Sequence, residues 1–524
     1  MFSLYAYLMT QSSMTSALWP NAQTTIHDIS RVQLLRAFFT GLLLPLGFAP
    51  FHFPGLAILG IALFFLQLKI TSSKQSFLLG FVFGLGFLGF GISWVYISIH
   101  MYGHLHPLLA AGITLLFITY LALYTGLVTL CYNTLAIHQA PFFCTLLFSS
   151  LWCLGEFLRA SIFGGFPWLL LGFGQMDSPL SHLLPLIGVY GVSWVTCFSA
   201  TLLTLTTRTF GVSRILWLVL FIGVLLSPLL LQHKKWTTTH TPALSVGIIQ
   251  ANLSMRDKWD ESLFWQLLDH YQHEVMQLID NTALIVMPES ALPLPSSYIS
   301  DYLDMLDQQA KQTGSSILLG IPQPTRSDES VYYNALLGLG LAEGIYLKQH
   351  LVAFGEFTPT FLSSLTHWLA LPLPNVKSGR AHQALITVNH HPIATLICYE
   401  LAFPELLRKQ LPSAEWIVSI SDDGWFGHSL AVYQHLQMAQ VLSKQTGRFQ
   451  IVSNNDGLSS VINDSGEIIN ALPAFQSGTL KASLKPSTGA SPWVWVGDRP
   501  IHLLIISILI MSILRRRRKR PTTI

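Results

Sequence analysis

The stretch Thr395–Glu400, "TLICYE", places a cysteine directly after a short apolar run that is typical of a buried β-strand. A tyrosine and a carboxylate follow at once. In α/β sheets, ligands bind outside the carboxyl ends of the strands, so Cys398 lies where an active-site residue is expected. The other four cysteines lie far upstream in long apolar segments: Cys131, Cys144, Cys153 and Cys197. Cys398 therefore has no evident disulfide partner in this chain.

The composition indicates a membrane protein. Of the 524 residues, 51% are hydrophobic and only 10% are charged, whereas about 25% charged residues is ordinary for soluble domains. The net charge of +3 is too small to indicate a nucleic-acid partner.

Apolar segments long enough for membrane helices fill the first half of the chain. A helix needs roughly 20 apolar residues to cross the hydrocarbon core. By that criterion the sequence predicts about eight transmembrane helices, and the second of them is short enough to be a hairpin partner of the first. They lie near residues 32–49, 55–70, 76–97, 107–136, 142–160, 183–206, 214–232 and 500–514.

The distribution of Lys and Arg predicts the orientation in the membrane. The last apolar run leads directly into Arg515–Arg520, "RRRRKR", and such a cluster favours the cytoplasmic side. Other basic residues fall on that side if eight helices cross: Arg31, Arg36, Lys69, Lys74, Arg208 and Arg214. Arg159, Lys234 and Lys235 oppose this orientation. The balance predicts that both termini are inside and that the segment 233–498 faces the outer side.

These observations divide the chain into five parts. Residues 1–30 contain no Lys or Arg, so they lack the basic region of a secretory signal and stay unassigned; translation from Met9 or Met14 instead of Met1 is compatible with this. The predicted parts that follow are a transmembrane domain over 31–233, an extramembrane domain over 242–485, a final helix over 499–515 and a basic cytoplasmic tail over 515–524.

Strand and helix patterns alternate in the extramembrane domain. Apolar runs such as "ALIVMPE", "YYNALLGLG" and "WIVSISDD" indicate buried strands, and apolar residues recur at helical spacing over 261–281. The segments 297–314 and 430–447 both end in Thr-Gly, a common helix stop. This alternation predicts one α/β domain with a substantial core.

Ionisable residues follow three of the predicted strands. Glu289 ends "LIVMPE", Lys348 and Glu356 lie in "GIYLKQHLVAFGEF", and Cys398 and Glu400 end "TLICYE". Because such strand ends can meet at one edge of a sheet, these side chains are expected to converge on one cleft. Taken singly, each has an ordinary interpretation: a buried cysteine is usually a small hydrophobe, and a lysine in a strand usually faces water.

Together, these motifs resemble a known catalytic arrangement. Glu289 in "PES", Lys348 in "KQHLVAFGE" and Cys398 in "CYE" occur in the order of the Glu-Lys-Cys triad of the nitrilase superfamily. With the membrane helices, nearly the whole chain from about residue 30 is similar to the apolipoprotein N-acyltransferase family. Further matching motifs are "GISWVYIS" (91–98), "GEFLRASIFGGFPW" (155–168), "DGWFG" (423–427) and "YQHLQMA" (433–439). The resemblance implies a membrane α-helical bundle joined to an α/β nitrilase-like sandwich.

The resemblance also implies a role for each triad residue. The thiolate is the nucleophilic form of cysteine, and a free thiol is mostly protonated at neutral pH. The Lys348 ammonium is expected to lower the pKa of Cys398, and Glu289 to accept its proton. Lys348, with a backbone N–H beside Cys398, would stabilise the oxyanion of the tetrahedral intermediate.

Four further residues have implied roles by the same resemblance. Glu356 is expected to support the acid–base chemistry, while Tyr399 and Glu400 shape the pocket. Trp259, in "KWD", is expected to lie on a loop where lipid reaches the site.

The implied reaction is a two-step acyl transfer on the periplasmic side of a bacterial inner membrane. Cys398 would attack the ester of a membrane phospholipid, form a thioester and release a lysophospholipid. The α-amine of a diacylglyceryl-cysteine, at the N-terminus of an apolipoprotein, would then take the acyl chain. Neither a cofactor nor a metal ion is expected.

Two other functions fit parts of the sequence. The triad alone is equally compatible with a membrane-tethered amidase that acts on a small amide, although a water-soluble substrate needs no such membrane frame. A transporter with an outer sensor domain would need charged residues inside the membrane, and Glu156 and Arg159 are the candidates.

Histidines suggest a weaker alternative, a metal site or a Cys-His enzyme. His350, His428 and His435 lie in the extramembrane domain, but their spacing is not typical of metal ligands. We interpret them as ordinary polar residues.

The chain departs from the family pattern in two places near "DGWFG". Asp422 stands where the family commonly has Asn. In the helix that follows, Gln440, Leu442 and Gln445 replace the usual arginines and glutamate, so the family pattern does not predict how that helix is held.

Overall fold

The computed structural model describes residues 29–68, 72–103, 105–325, 328, 331–358 and 375–518. The predictions for residues 1–28, for Lys69 and for the end of the basic tail lie outside these ranges. Long helices occupy the chain up to residue 233, and strands and helices alternate after it. The main helices are Arg31–Gly41, Pro54–Gln67, Ser73–Gly91, Pro107–Leu135, Pro141–Ser161, Leu184–Arg208, Gly211–Leu226, Phe264–Ile279, Ser300–Thr313, Leu430–Thr446 and Arg499–Arg518.

Within the described residues, five helices are long and apolar enough to cross a membrane, so the predicted count of eight is not confirmed. The helix predicted near 32–49 ends at Gly41, because prolines at 45 and 50 interrupt the apolar run. Pro54–Gln67 has 14 residues, which is about 21 Å of helix and short of the roughly 30 Å core. The five are Ser73–Gly91, Pro107–Leu135, Pro141–Gly164, Pro179–Arg208 and Gly211–Leu231.

Small residues allow two of these helices to pack closely. A Cβ on Gly80 would lie 2.1 Å from Thr129 Oγ1, so only glycine fits there. Thr129 Oγ1 donates to the Ser76 carbonyl oxygen at 2.8 Å, and Ser76 Oγ donates to the Thr129 carbonyl oxygen at 2.8 Å. These reciprocal hydrogen bonds join Ser73–Gly91 to Pro107–Leu135, as is common where helices meet in lipid.

The second half of the chain forms a two-sheet sandwich. The strands are β1 Thr237–Thr239, β2 Leu244–Gln250, β3 Leu284–Val286, β4 Ser316–Pro324, β5 Tyr332–Gly340, β6 Ala342–Glu343, β7 Ile345–Leu347, β8 Ile386–Val388, β9 His391–Ile397, β10 Trp416–Ser421, β11 Gln450–Asn454, β12 Ser460–Ile462, β13 Ile468–Ala471, β14 Gly478–Leu484 and β15 Ser487–Gly489. One sheet has the strand order β13-β12-β11-β10-β9-β8-β6, and the other has the order β14-β2-β3-β4-β5-β7.

Helices cover both outer faces of the sandwich. The core between the sheets contains Val286 of β3, Ile397 of β9 and Val418 of β10. Phe264–Ile279 and Ser300–Thr313 pack on the sheet that contains β3, while residues of Leu430–Thr446 pack on the sheet that contains β9. The α/β sandwich predicted from the sequence is therefore confirmed.

Both predicted Thr-Gly helix stops are confirmed. Ser300–Thr313 ends at Gly314, which adopts a left-handed conformation with φ 72°. Leu430–Thr446 ends in the same way at Gly447, with φ 67°. Glycine adopts this conformation without strain, which explains why each helix stops there.

Three glutamines of the helix Leu430–Thr446 hold it in place. Gln434 Oε1 accepts a hydrogen bond from Trp168 Nε1 at 2.6 Å, and Gln437 Oε1 accepts one from the Ala49 N–H at 3.1 Å. Gln440 Nε2 donates to the Gly466 carbonyl oxygen at 3.0 Å. Neutral amides thus connect this helix to loops between the membrane helices and to the turn between β12 and β13. Of the three, only Gln440 stands where the family pattern differs.

Candidate active site

Cys398 lies at a sharp turn between a strand and a helix. Strand β9 ends at Ile397, and Cys398 begins the 3₁₀ helix Cys398–Ala402. Its φ of 53° is in the left-handed region, which is unusual for a residue with a side chain. Such strain is found where the surrounding structure holds a functional residue in one orientation. Cys398 is 8% exposed.

Lys348 lies between two carboxylates at the end of β7. Its ammonium Nζ is 2.8 Å from Glu356 Oε1 and 3.4 Å from Glu289 Oε1, and the side chain is almost completely buried. Glu289 comes shortly after β3, and Cys398 follows β9. The structure therefore brings the predicted residues from three strand ends to one place.

Both oxygens of Glu289 have hydrogen-bond donors. Asn334 Nδ2 donates to Oε1 at 2.6 Å, and the main-chain N–H of Asp422 donates to Oε2 at 2.9 Å. Asn334 Nδ2 also lies 3.4 Å from Glu356 Oε1. Sequence reasoning missed Asn334, although a polar residue inside the apolar strand "YYNALLGLG" is a signal that could have found it.

Several neighbours act on the pKa of Cys398. Burial raises the pKa of this thiol well above its ordinary value, and the Glu289 carboxylate raises it further. Lys348 lowers it, as predicted. Desolvation of the thiolate outweighs this one ammonium group, so the pKa of the thiol stays raised.

Lys348 itself is stabilised as a cation. Burial alone would lower the pKa of Lys348, but Glu356, Glu289 and Cys398 outweigh burial and raise it. A permanent positive charge thus lies beside the thiol, where it is suited to stabilise negative charge that develops during a reaction.

Glu400 organises the main chain around the site. It is completely buried, and its carboxylate accepts main-chain hydrogen bonds from Gln349 at 2.7 Å, His350 at 3.0 Å and Ile397 at 2.8 Å. Tyr346 Oη donates to both of its oxygens at 3.1 Å. Burial raises the pKa of Glu400 to about 7, although these hydrogen bonds act against that shift. Glu400 therefore joins the segment after β7 to the end of β9.

His435 belongs to the site, contrary to the prediction that it is an ordinary polar residue. Its Nε2 is 3.1 Å from the carbonyl oxygen of Cys398, and its Nδ1 is 3.0 Å from Asp423 Oδ1. Burial alone would lower the pKa of His435, but Asp423 outweighs burial and raises it. With acceptors at both ring nitrogens, His435 donates to the main chain of Cys398 and holds it in place.

The two charged residues considered for a transport pathway instead stabilise a loop. Arg159 donates to the carbonyl oxygens of Phe166 and Trp168. Glu156 Oε1 accepts a hydrogen bond from the Leu171 N–H at 2.9 Å. These contacts hold the main chain of the loop that follows Pro141–Ser161, so they provide a structural reason for both residues.

Trp259 lies at the surface next to a buried residue. Its side chain is 47% exposed and follows the short helix Met255–Lys258, whose last residue is buried. The other two histidines contact different parts of the protein. His350 Nε2 is 2.9 Å from the Gly164 carbonyl oxygen, and the His428 ring stacks on Phe475.

Comparison with known proteins assigns the family. Residues 40–202 match the family described as the apolipoprotein N-acyltransferase N-terminal domain, and residues 245–491 match the carbon-nitrogen hydrolase family. An apolipoprotein N-acyltransferase of Coxiella burnetii is 34% identical over 482 residues, which are 91% of this chain and 99% of the relative. The chain belongs to the apolipoprotein N-acyltransferase family. It is an N-acyltransferase whose catalytic domain is of the nitrilase superfamily, as the sequence predicted.

Other members of the family show the same level of similarity. The apolipoprotein N-acyltransferase of Pseudomonas paraeruginosa is 35% identical over 490 residues, which are 92% of this chain and 96% of the relative. Among solved structures, an amidase of the nitrilase superfamily from Nesterenkonia aligns with 13% identity, 50% coverage of this chain, 98% coverage of the amidase and a TM-score of 0.36.

Proposed function

We propose that this enzyme transfers an acyl chain from a membrane phospholipid, through a thioester on Cys398, to the N-terminal amine of a diacylated apolipoprotein. The family assignment supports the acceptor class. The observation that supports the catalytic residues most directly is Lys348, which lies between Glu289 and Glu356 and interacts electrostatically with Cys398.

In the first step, Cys398 Sγ attacks the carbonyl carbon of the phospholipid ester. Glu289 takes the thiol proton as the bond forms, because the thiol is protonated in the resting enzyme. Lys348, together with a backbone N–H beside Cys398, stabilises the oxyanion. When the tetrahedral intermediate collapses, the C–O bond breaks, and Glu289 returns the proton to the lysophospholipid oxygen.

In the second step, the α-amine of the acceptor attacks the thioester carbonyl carbon. Glu289 takes a proton from the attacking amine, and Lys348 again stabilises the oxyanion. Collapse breaks the C–S bond, and Cys398 leaves as a thiolate that recovers its proton from Glu289. Glu356 supports this cycle by keeping Lys348 charged through the 2.8 Å ion pair.

The membrane helices have a direct purpose in this reaction. Both substrates are held in the bilayer by acyl chains, so the cleft must lie at the membrane surface. The contacts of Gln434 and Gln437 with loops between the membrane helices are consistent with that arrangement. We place the catalytic domain on the periplasmic side of a bacterial inner membrane, with Trp259 near the route by which lipid reaches the cleft.

The orientation is compatible with five crossing helices before the catalytic domain. If the short helices Arg31–Gly41 and Pro54–Gln67 form a hairpin that enters and leaves on the same side, the number of crossings before the domain falls by two and stays odd. If the final helix Arg499–Arg518 also crosses, as the sequence predicts, the basic run that starts at Arg515 remains cytoplasmic.

Release of lysophospholipid from vesicles tests this function. Purified enzyme in phospholipid vesicles should release a small amount of lysophospholipid alone, and continuous release should require a diacylated lipopeptide. Cys398→Ala should release none. Release of ammonia from small amides, without lysophospholipid, would instead support the membrane-tethered amidase.

A further inference from the structure

A second buried ion pair lies next to the triad. Lys258 Nζ contacts Asp422 Oδ2, and both side chains are almost completely buried, at 1% and 3% exposure. Two opposite charges removed from water stabilise each other strongly only when their remaining polar atoms are also satisfied. A pair of this kind beside a catalytic carboxylate calls for a physical explanation.

The pair contacts Glu289 from two sides. Lys258 Nζ donates to the main-chain carbonyl oxygen of Glu289 at 2.8 Å, and the main-chain N–H of Asp422 donates to Glu289 Oε2 at 2.9 Å. The residue that follows, Ser290, has a left-handed φ of 46°. The main chain at Glu289 therefore turns sharply, and the Lys258 contact holds that turn.

Each partner of the pair is also fixed by its own surroundings. Asp422 Oδ1 accepts hydrogen bonds from the Gly424 N–H and from Asn455 Nδ2, both at 3.2 Å. Lys258 ends a short helix whose first turn is capped by Ser254 Oγ, which accepts from the Asp257 N–H at 3.1 Å. The pair is thus a rigid connection between this helix, the end of β10 and Glu289.

We infer that Lys258 and Asp422 form a positioning pair, which holds Glu289 in the orientation that proton transfer from Cys398 requires. This inference rests on the role proposed for Glu289 as the base. The two opposite charges of the pair balance each other, so that the pair holds Glu289 without placing an unpaired charge beside its carboxylate.

Other charges act on the same carboxylate and define the background of any pH measurement. The titratable or charged groups that interact with Glu289 or with the pair include Lys348, Glu356, Cys398, Asp423, His435, Asp456, Tyr102 and Tyr271. Asp456 interacts with both members of the pair, and Tyr102 and Tyr271 interact with Asp422, so these three groups respond to the substitutions as well. The opposite directions of shift expected in Lys258→Met and Asp422→Asn, and their cancellation in the double variant, report the pair.

The test is the pH dependence of Cys398 acylation in a single turnover, with phospholipid vesicles of labelled acyl chain. In Lys258→Met, the unpaired Asp422 carboxylate opposes a second negative charge on Glu289. The low-pH side of the pH–rate profile, called the acid limb below, should therefore move to higher pH, and the rate at neutral pH should fall by roughly 10²-fold. In Asp422→Asn, the unpaired ammonium favours ionised Glu289, so the acid limb should move to lower pH and the plateau rate should fall. The double variant should restore the acid limb towards that of the wild-type enzyme.

A merely structural role predicts a different result. It would lower the yield or the melting temperature of all three variants and leave the acid limb in place, which would overturn the inference. If Lys258→Met fails to fold, the nearly isosteric Asp422→Asn decides by the direction of its shift. Lys311→Met is the matched control, because it breaks an exposed pair with Asp307 at 2.6 Å and should leave the profile unchanged.

A separate variant distinguishes this inference from the proposed function. If Glu289→Gln acylates Cys398 at the wild-type rate, Glu289 is not the base, and the positioning role of the pair is overturned with it. An inactive Glu289→Gln together with an unmoved acid limb in Lys258→Met and Asp422→Asn would overturn the positioning role alone.

Discussion

The Tyr399 hydroxyl donates a 2.9 Å hydrogen bond to the carbonyl oxygen of Gly165, which ties the residue after Cys398 to a loop between two membrane helices. Gly165 has a φ of 77°, and a Cβ there would lie 2.0 Å from the Ala160 carbonyl oxygen. The loop therefore cannot accept a side chain at this point. His350 makes a second contact with this loop, because its Nε2 is 2.9 Å from the Gly164 carbonyl oxygen. The membrane helices thus set the position of the turn that carries Cys398.

Tyr399→Phe should slow acylation of Cys398 while the fold is kept. The variant loses one hydrogen bond, worth about 0.5–1.5 kcal/mol, but keeps the ring contacts with Phe403 and Trp168. A loss of that size corresponds to a rate decrease of up to about tenfold. Single-turnover acylation measures it, and Tyr298→Phe, at an exposed position, is the control. An unchanged rate would show that the Gly165 contact does not position the turn.

Glu400→Gln should destabilise the catalytic domain and misplace Lys348. A carboxylate offers two acceptor oxygens to the N–H groups of Gln349, His350 and Ile397, whereas a glutamine places an NH₂ group against one of these donors. A buried donor without a partner costs about 1–3 kcal/mol. Thermal unfolding in detergent and single-turnover acylation should both decrease. Glu343→Gln, at an exposed position, is the matched control.

Glu400 should also contribute to the pH dependence of stability. Its pKa is raised to about 7 in the folded protein, against about 4.3 in an unfolded chain. Between these values the unfolded state binds fewer protons than the folded state, so the free energy of unfolding should fall as the pH rises from 4.3 to 7. Melting temperatures across that range should show a weaker slope in Glu400→Gln. An identical slope would contradict this role.

The topology should appear in reporter fusions. A reporter active only in the cytoplasm should be active when fused after residue 520, because the arginine run follows the last helix. The same reporter should be silent when fused near residue 326, in the catalytic domain. The reverse pattern would show that the catalytic domain is cytoplasmic.

The sequence predicts the strands that contain long apolar runs, but it does not predict the shortest strands. β5 was predicted at its observed bounds, since "YYNALLGLG" is a continuous nine-residue run. β6 and β8 have two and three residues, which is too short for any periodicity. The first predicted membrane helix is shorter than expected for a related reason. Composition detects apolar residues, but the prolines after Gly41 decide where the first helix ends.

The site was predictable only where residues follow strands. Glu289, Lys348 and Cys398 each follow a strand. Because ligands bind outside the carboxyl ends of strands in α/β sheets, the sequence predicts that these three side chains lie in one cleft. His435 is 37 residues from Cys398, and Asn334 is 45 residues from Glu289. Contacts over such separations depend on how the two sheets and their helices pack, which local patterns in the sequence do not contain.

The acyl-enzyme should be trapped when no amine acceptor is present. A phospholipid labelled in its acyl chain should label the protein, and neutral hydroxylamine should remove the label, as it does for thioesters. A diacylated lipopeptide should discharge the label onto its amine. Replacing Cys131, Cys144, Cys153 and Cys197 together should leave the labelling intact. A hydroxylamine-sensitive label on Cys398→Ala would assign the thioester to one of those four cysteines instead.

Glu289→Gln should make Cys398 more reactive towards a small alkylating reagent and yet abolish acyl transfer. The Glu289 carboxylate raises the pKa of the Cys398 thiol, so its removal should lower that pKa and increase the thiolate fraction. Alkylation below the pKa should then be faster, about tenfold for each unit by which the pKa falls. Acyl transfer should fall by roughly 10²–10⁴-fold, because no base remains to accept the proton.

The background for that alkylation measurement is a chain in which the four membrane cysteines are replaced by alanine, so that Cys398 alone reacts. Lys348→Met is the opposite control: Lys348 lowers the pKa of Cys398, so its loss should slow both alkylation and transfer. If Glu289→Gln slowed alkylation as well, Glu289 would be stabilising the thiolate rather than opposing it. If transfer survived in Glu289→Gln, Glu356, 2.8 Å from Lys348, would be the next candidate for the base.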